Sequence, residues 1–309
     1  MKQSQGIHHI TAIVGHPQEN YDFYATVLGL RLVKKTVNFD DPKTYHLYFG
    51  DEHARPGSII TFFPWPDAEK GRIGGGQVGV TSYAVPENSL SFWETRLTEK
   101  AVPFKKAERF GEESLQFEDP HGLQLEIVER AEGPLNTWSN DGVDSKVAIK
   151  GFGGAVLYST DPQSTADTLT HSMGLEQLDE NEEFIRLKAV GDVANIVDIK
   201  KAPRPLGVMG VGTVHHIAWR AHDEADHKDW QSHMTNEGYQ VTDIKDRNYF
   251  KALYFREKGN ILFEIASDTP GFSVDEPSES LGEALKLPEQ YEAKRSELEA
   301  QLIPLNTDK

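Results

Sequence analysis

Thr213-Val-His-His-Ile-Ala-Trp219 decides the reading of this chain, because Gly6-Ile-His-His-Ile-Thr-Ala12 says nearly the same thing at the other end. Each stretch runs apolar, His, His, apolar. In a strand, neighbouring side chains leave on opposite faces. One histidine of each pair is therefore expected to face a core or cavity while the other faces away. Two such strands side by side would bring two imidazoles together.

A carboxylate is available to join them. Leu262-Phe-Glu264-Ile-Ala266 sets one acid in an otherwise apolar strand. A buried carboxylate without a partner is costly, so a metal ion or an arginine is expected beside Glu264. Two imidazoles and one carboxylate are the ligand set of a non-haem iron site. A pseudo-twofold would bring together either His9 with His216 or His8 with His215, and the pattern alone does not choose.

The residues between these ends repeat. Ile7–Val14 reads as a strand, Pro17 opens a helix with Tyr21, Tyr24 and Leu28 on one face, and Gly29 is placed to end it. Strands are expected around 31–37, 44–49 and 58–63. The order returns with Val80–Val85 and a helix carrying Leu90, Trp93 and Leu97. It returns again with Phe152–Ser159 and the cap Asp161-Pro162, and a fourth time from Val214 through a helix carrying Trp230 and Met234, followed by strands near 239–243, 252–256 and 261–266. Pro17, Pro86 and Pro162 lie 69 and 76 residues apart. A β-α-β-β-β unit of this size has one apolar sheet face and cannot bury it alone, so units must pair. The fold expected is α+β, with four βαβββ modules (7–65, 79–130, 151–200 and 213–267) paired into two lobes of curved mixed sheets around a metal-binding cavity. The domains are expected at 1–131 and 151–268. The Gly-, Pro-, Asn- and Ser-bearing stretch 132–150 would link them, and 269–309 would form an acidic tail. Pro288–Leu302 reads as an exposed surface helix.

Composition removes several function classes. A net charge of −17 and the lack of a basic run argue against nucleic acid and anionic membrane surfaces. Without cysteine there is no disulfide, thiolate nucleophile or iron–sulfur cluster. No apolar run approaches the roughly 20 residues of a membrane span, and no signal core precedes the first strand, so a cytoplasmic location is expected.

Other motifs read as structural. Glu126 and Asp198 stand on strands like that of Glu264, but their units open with Gly79-Val-Thr-Ser82 and Gly151-Phe-Gly-Gly154, which lack histidine. The second and third units are therefore expected to form a degenerate pair without metal, despite His121 in a nearby turn. Gly74-Gly-Gly-Gln-Val-Gly79 precedes a strand, where a dinucleotide loop would open a helix. His222, His227 and His233 are expected on a solvated helix face. Phe62, Phe63, Trp65 and Phe250 are candidates either for a ring pocket or for core. Arg247 suits either an anionic oxygen or a loop ion pair.

With these residues in view, the chain resembles the vicinal-oxygen-chelate superfamily of glyoxalases, bleomycin resistance proteins and extradiol dioxygenases. More closely it resembles the ring-cleaving dioxygenases of the hydroquinone type. The resemblance runs from Ile7 to about Glu276. It is carried by Ile7-His-His-Ile-Thr11, Tyr45-His-Leu-Tyr-Phe49, His215-His216, Asp246-Arg247 with Tyr254, and Phe263-Glu264. It implies Fe(II) held by His9, His216 and Glu264, with His8, Thr11, His215, Arg247 and Tyr254 in catalytic roles around it. Most extradiol enzymes of the superfamily take their ligands from the third and fourth units. Here the first unit supplies one, which implies that the first and fourth share a cup. The activity implied is cleavage of a small aromatic diol by O2, with His8 or His215 as base and Arg247 and Tyr254 as anchors. The rivals on this scaffold are a glyoxalase-like isomerase or thiol transferase, which often uses a second carboxylate, and a binding module, which needs no triad. Hydroquinone against catechol, and monomer against homo-oligomer, stay open at this level.

Overall fold

Every residue of Ile7–Val14 is buried, which places this strand (β1) inside a sheet with both faces covered. A computed structural model of the chain describes residues 2–307; Met1, Asp308 and Lys309, at the ends of the first and last expected segments, lie outside the described residues. The first unit continues with helix α1 (Pro17–Tyr21) and strands β2 (Arg31–Val37), β3 (Tyr45–Gly50) and β4 (Ile59–Pro64). The second holds β5 (Gln77–Val85), α2 (Leu90–Glu99), β6 (Phe104–Arg109), β7 (Glu112–Glu118) and β8 (Gln124–Glu129). The third holds β9 (Gly151–Tyr158), α3 (Pro162–Asp167), β10 (Glu176–Glu180), β11 (Phe184–Lys188) and β12 (Ile196–Lys200). The fourth holds β13 (Thr213–Ala221), α4 (Glu224–Asn236), β14 (Lys245–Asp246), β15 (Phe250–Arg256) and β16 (Leu262–Pro270). Helices α5 (Glu289–Glu292) and α6 (Arg295–Gln301) follow.

In each unit the first strand runs parallel to the last, a pairing that needs a crossover, and the helix provides it. Two eight-stranded mixed sheets result, ordered β14-β15-β16-β13-β1-β4-β3-β2 and β10-β11-β12-β9-β5-β8-β7-β6. The first unit therefore joins the fourth through antiparallel β1 and β13, and the second joins the third through β5 and β9. Each lobe takes strands from both halves of the chain. The α+β architecture of two curved lobes agrees with the sequence, and so does the shared cup of units one and four.

Local differences have local causes. The helices opened by Pro17 and Pro162 widen into π-helical turns at Asp22–Val27 and Thr168–Ser172. The strand expected near 239–243 does not form. Tyr239 turns into the core and bonds Thr168, while Thr242 meets Tyr254 through one backbone bond and its own hydroxyl. His227 is not solvated. It is 1% exposed on the face of α4 that carries Trp230 and Met234, and its Nε2 lies 2.8 Å from the Ile265 carbonyl. The tail helices are mostly exposed, as expected, but anchored: Leu298 and Leu302 pack with Val37 and Leu287, and Tyr291 donates to the Phe39 carbonyl at the lip of the cup.

Candidate metal centre

The register of β1 on β13 sets the geometry of the histidine pairs. Ile7 pairs with Trp219 and His9 with Ala218, so His8 is an extra residue on β1. Thr11 pairs with His216 and Ala12 with Val214, so His215 is an extra residue on β13. Each pair thus sits on a β-bulge, which breaks the alternation and re-aims a side chain. The expectation that one histidine of each pair faces away is corrected accordingly. His8, His9 and His216 are buried and His215 is half-buried. Nδ1 of His8 lies 2.9 Å from Nδ1 of His9, and Nδ1 of His215 lies 2.8 Å from Nδ1 of His216.

The outer histidines set the tautomers of the inner ones. With the ring neutral, a proton on His9 Nδ1 is donated to His8, which leaves the His9 Nε2 lone pair free; His215 can do the same for His216. The two Nε2 atoms are 3.3 Å apart. Oε2 of Glu264, carried by β16 beside β13, lies 2.8 Å from that of His216 and 3.6 Å from that of His9. Glu264 is fully buried, yet no well-directed hydrogen bond reaches either of its oxygens. Three lone-pair donors facing one another across a short gap, in a buried pocket, fit a cation between them.

Electrostatics agree with that donor set. Burial opposes ionisation of Glu264, but the facing imidazoles outweigh it and hold the carboxyl well below the usual range. Burial lowers His216, and Glu264 restores only part of the shift. Burial, with His9 beside it, holds His8 well below the ordinary imidazole value, and burial takes His215 to about 3. Glu264 and His216 thus rest deprotonated near neutral pH, the state a metal ion requires of a ligand.

Thr11, Arg247 and Tyr254 line the same cup, together with Phe63 and Phe250. The Tyr254 ring lies 5.7 Å from that of His216. Burial, then Glu264, raise its phenol, and Arg247 opposes them. The Arg247 guanidinium lies over Phe39 at 5.4 Å and over Tyr254 at 6.0 Å, and reaches Asp40 at 3.4 Å. Phe250 stands 4.9 Å from the His9 ring. Phe62 points into the core against Tyr24, and Trp65 turns outward to donate to Asp41. His46 and Tyr48 also line the cup, and Thr61 stands behind Thr11; none of the three had an assigned role from sequence. Their signal was the period-two placement of His46 and Tyr48 on β3. A larger groove of about 690 Å³ lies elsewhere, between Phe23 and Pro120, and shares no residue with the cup.

The description "Glyoxalase/Bleomycin resistance protein/Dioxygenase superfamily" matches residues 6–127 and 151–265. The chain belongs to this superfamily. MhqO of Bacillus subtilis, named as a candidate ring-cleaving dioxygenase, is 60% identical over 98% of this chain and 97% of its own length. The chlorohydroquinone/hydroquinone 1,2-dioxygenase of Sphingobium indicum is 34% identical over 95% and 94%. A crystal structure of a candidate dioxygenase from Bacillus subtilis superposes with a TM-score of 0.99 at 59% identity, covering 100% of both chains. Glyoxalase I of Zea mays superposes at 0.63 with 13% identity, over 85% of this chain and 92% of its own, which shows the fold alone.

The superfamily repeat makes the second lobe a control for the first. In the lobe of units two and three the bulged positions are Gly79 and Gly153. A Cβ there would meet the Tyr158 ring at 2.4 Å or Val128 at 2.5 Å. Glu126 and Asp198 keep the place of Glu264, each across from the residue two beyond the position that holds the inner histidine in the first lobe. Arginines answer them. Arg186 grips Asp198 at 2.7 and 2.8 Å, and Arg109 bridges Asp198 and Glu126. That lobe neutralises its buried acids with guanidinium groups, as expected for the degenerate pair.

Proposed function

We propose that this protein is an Fe(II)-dependent ring-cleaving dioxygenase of the hydroquinone type, with His9, His216 and Glu264 as ligands. The observation that carries this reading is the buried, hydrogen-bond-poor carboxylate facing two oriented imidazoles, in a chain whose relatives include a named hydroquinone dioxygenase. Fe(II) held by these three residues would supply the activation of the diol and O2.

The protein's own groups then have defined tasks. His215 and His8 are neutral near pH 7 and accept at Nδ1 from the inner pair, which fixes the inner tautomers and occupies the one lone pair of each outer ring. Arg247 carries a fixed positive charge at the lip, suited to an anionic diol oxygen. Tyr254 stays protonated and donates. Phe63 and Phe250 offer apolar faces to a ring, and the tail closes the lip from outside.

A glyoxalase-like isomerase using a second carboxylate is disfavoured by Thr61, which stands where the matching acid would be. His9→Ala and Glu264→Ala are expected to lose both bound iron and hydroquinone-dependent oxygen uptake. Full activity in either variant would remove the assignment.

A further inference from the structure

Opposite Glu264 the cup holds a second polar row. Thr61 pairs with Thr11, two residues beyond His9, as Glu264 pairs with Ala218, two residues beyond His216. Tyr48 pairs with Thr61 as Tyr254 pairs with Glu264. The first unit thus carries an uncharged hydroxyl in the place of the carboxylate, and that hydroxyl is wired. Thr11 Oγ1 lies 2.8 Å from Thr61 Oγ1, Thr61 Oγ1 lies 2.8 Å from His46 Nε2, and His46 Nδ1 lies 2.8 Å from the Tyr48 hydroxyl. All four residues are buried. Thr11, His46 and Tyr48 line the cup beside His9.

The row has one self-consistent direction. Among the described residues, the Tyr48 hydroxyl has His46 Nδ1 as its hydrogen-bond partner. A buried O–H without an acceptor is costly, so Tyr48 donates. His46 Nδ1 is then a lone pair. Burial keeps the ring neutral, so its proton sits on Nε2 and goes to Thr61. Thr61 in turn gives its hydrogen to Thr11. The Thr11 hydrogen is left over at the end of the row, in the wall of the cup.

We propose that His46 and Tyr48 are positioning residues that commit the Thr11 hydroxyl to donate, so that the first-unit side of the cup holds an anionic oxygen of the aromatic diol. This rests on the diol reading above. On the opposite side Glu264 would repel such an oxygen beside it, and the charge of Arg247 lies at the lip. The neutral, donor-terminated side is where it is stabilised.

Tyr48→Phe tests this, because the ring keeps its packing against Phe272 and Tyr249 while the donor is lost. In Zn(II)-loaded protein, ¹⁵N spectra of histidine are expected to show His46 as the Nε2–H tautomer, and Tyr48→Phe to lose that single form. In anaerobic Fe(II) protein, Tyr48→Phe is expected to weaken hydroquinone binding about tenfold, the weight of one hydrogen bond to a charged oxygen, with iron content unchanged. His46→Gln, whose amide can still donate to Thr61, should lose less than His46→Leu. An Nδ1–H tautomer in the parent protein, or a Tyr48→Phe variant with unaltered tautomer and affinity, overturns the proposal. Should the iron-loaded parent bind no hydroquinone, the substrate reading fails on its own. The tautomer then decides the direction of the row: Nε2–H upholds it and Nδ1–H overturns it.

Discussion

His8 and His215 differ from ordinary strand residues in being the extra residue of a bulge, and this turns them toward their neighbours. With the proton of each Nδ1 contact on the inner ring, these contacts free Nε2 of His9 and His216. Partners of this kind carry about 10–100-fold in metal affinity or activity. His8→Phe is therefore expected to weaken Fe(II) binding by about that factor, measured by competition with a chelator. Glu264→Gln, of the same size without the charge, should fail to retain iron through desalting. The two histidine pairs and Glu264 were legible in the sequence because the pair occurs twice and one apolar strand carries a lone acid, while the choice of His9 and His216 within the pairs rested on the family resemblance. The bulges were not legible, since alternation assumes an unbroken ladder and nothing in Ile7-His-His-Ile10 marks a break. His46, Tyr48 and Thr61 were missed because each is unremarkable in its own strand, and only the register of β3 on β4 brings them into one row.

At the scale of elements, the two lobes use one scaffold with opposite fillings. In one, the histidines that follow the bulges face a buried carboxylate; in the other, glycines occupy the bulges and arginines pair with the buried acids. Gly153→Ala should cost about 1–3 kcal/mol, because its Cβ would meet Val128 and Ser82 in a packed strand pair. Arg109→Met strands the fully buried Glu126 carboxylate, while Asp198 keeps Arg186, and should cost about 3–5 kcal/mol in urea unfolding, with iron binding in the other lobe retained. The sequence located this degenerate lobe from its missing histidines, and it could not show which arginines answer Glu126 and Asp198. The tail was under-read for a similar reason. Leu298 and Leu302 lie four apart among charged residues, a short apolar stripe whose partners, Val37 and Leu287, are distant in sequence.

Over the whole molecule, the joining of the first unit to the fourth makes the metal centre depend on the chain closing on itself. Its two proposed histidine ligands lie 207 residues apart, so the site is assembled only in the folded state. Metal binding should therefore raise the thermal midpoint, and chelation should lower it. Acid should lower it too. Burial holds His227 below its unfolded value, and its Nδ1 has no hydrogen-bond partner to receive a proton. Its contribution to stability is complete above about pH 6.5 and is lost as pH falls through that value, because the unfolded chain then takes up the proton first. Between pH 7.5 and 5.5 the midpoint of the parent protein should fall more than that of His227→Gln. Among the described residues no helix is long and apolar enough to cross a membrane.

The central claim is that the lobe built from the first and fourth units holds a single iron centre that opens a hydroquinone ring. Purification without oxygen, loading with Fe(II), and oxygen-electrode recording with hydroquinone and catechol side by side test it most directly. The account predicts oxygen uptake with hydroquinone, one O2 per ring, and a ring-opened product by mass. No uptake with either diol at full iron occupancy would contradict it.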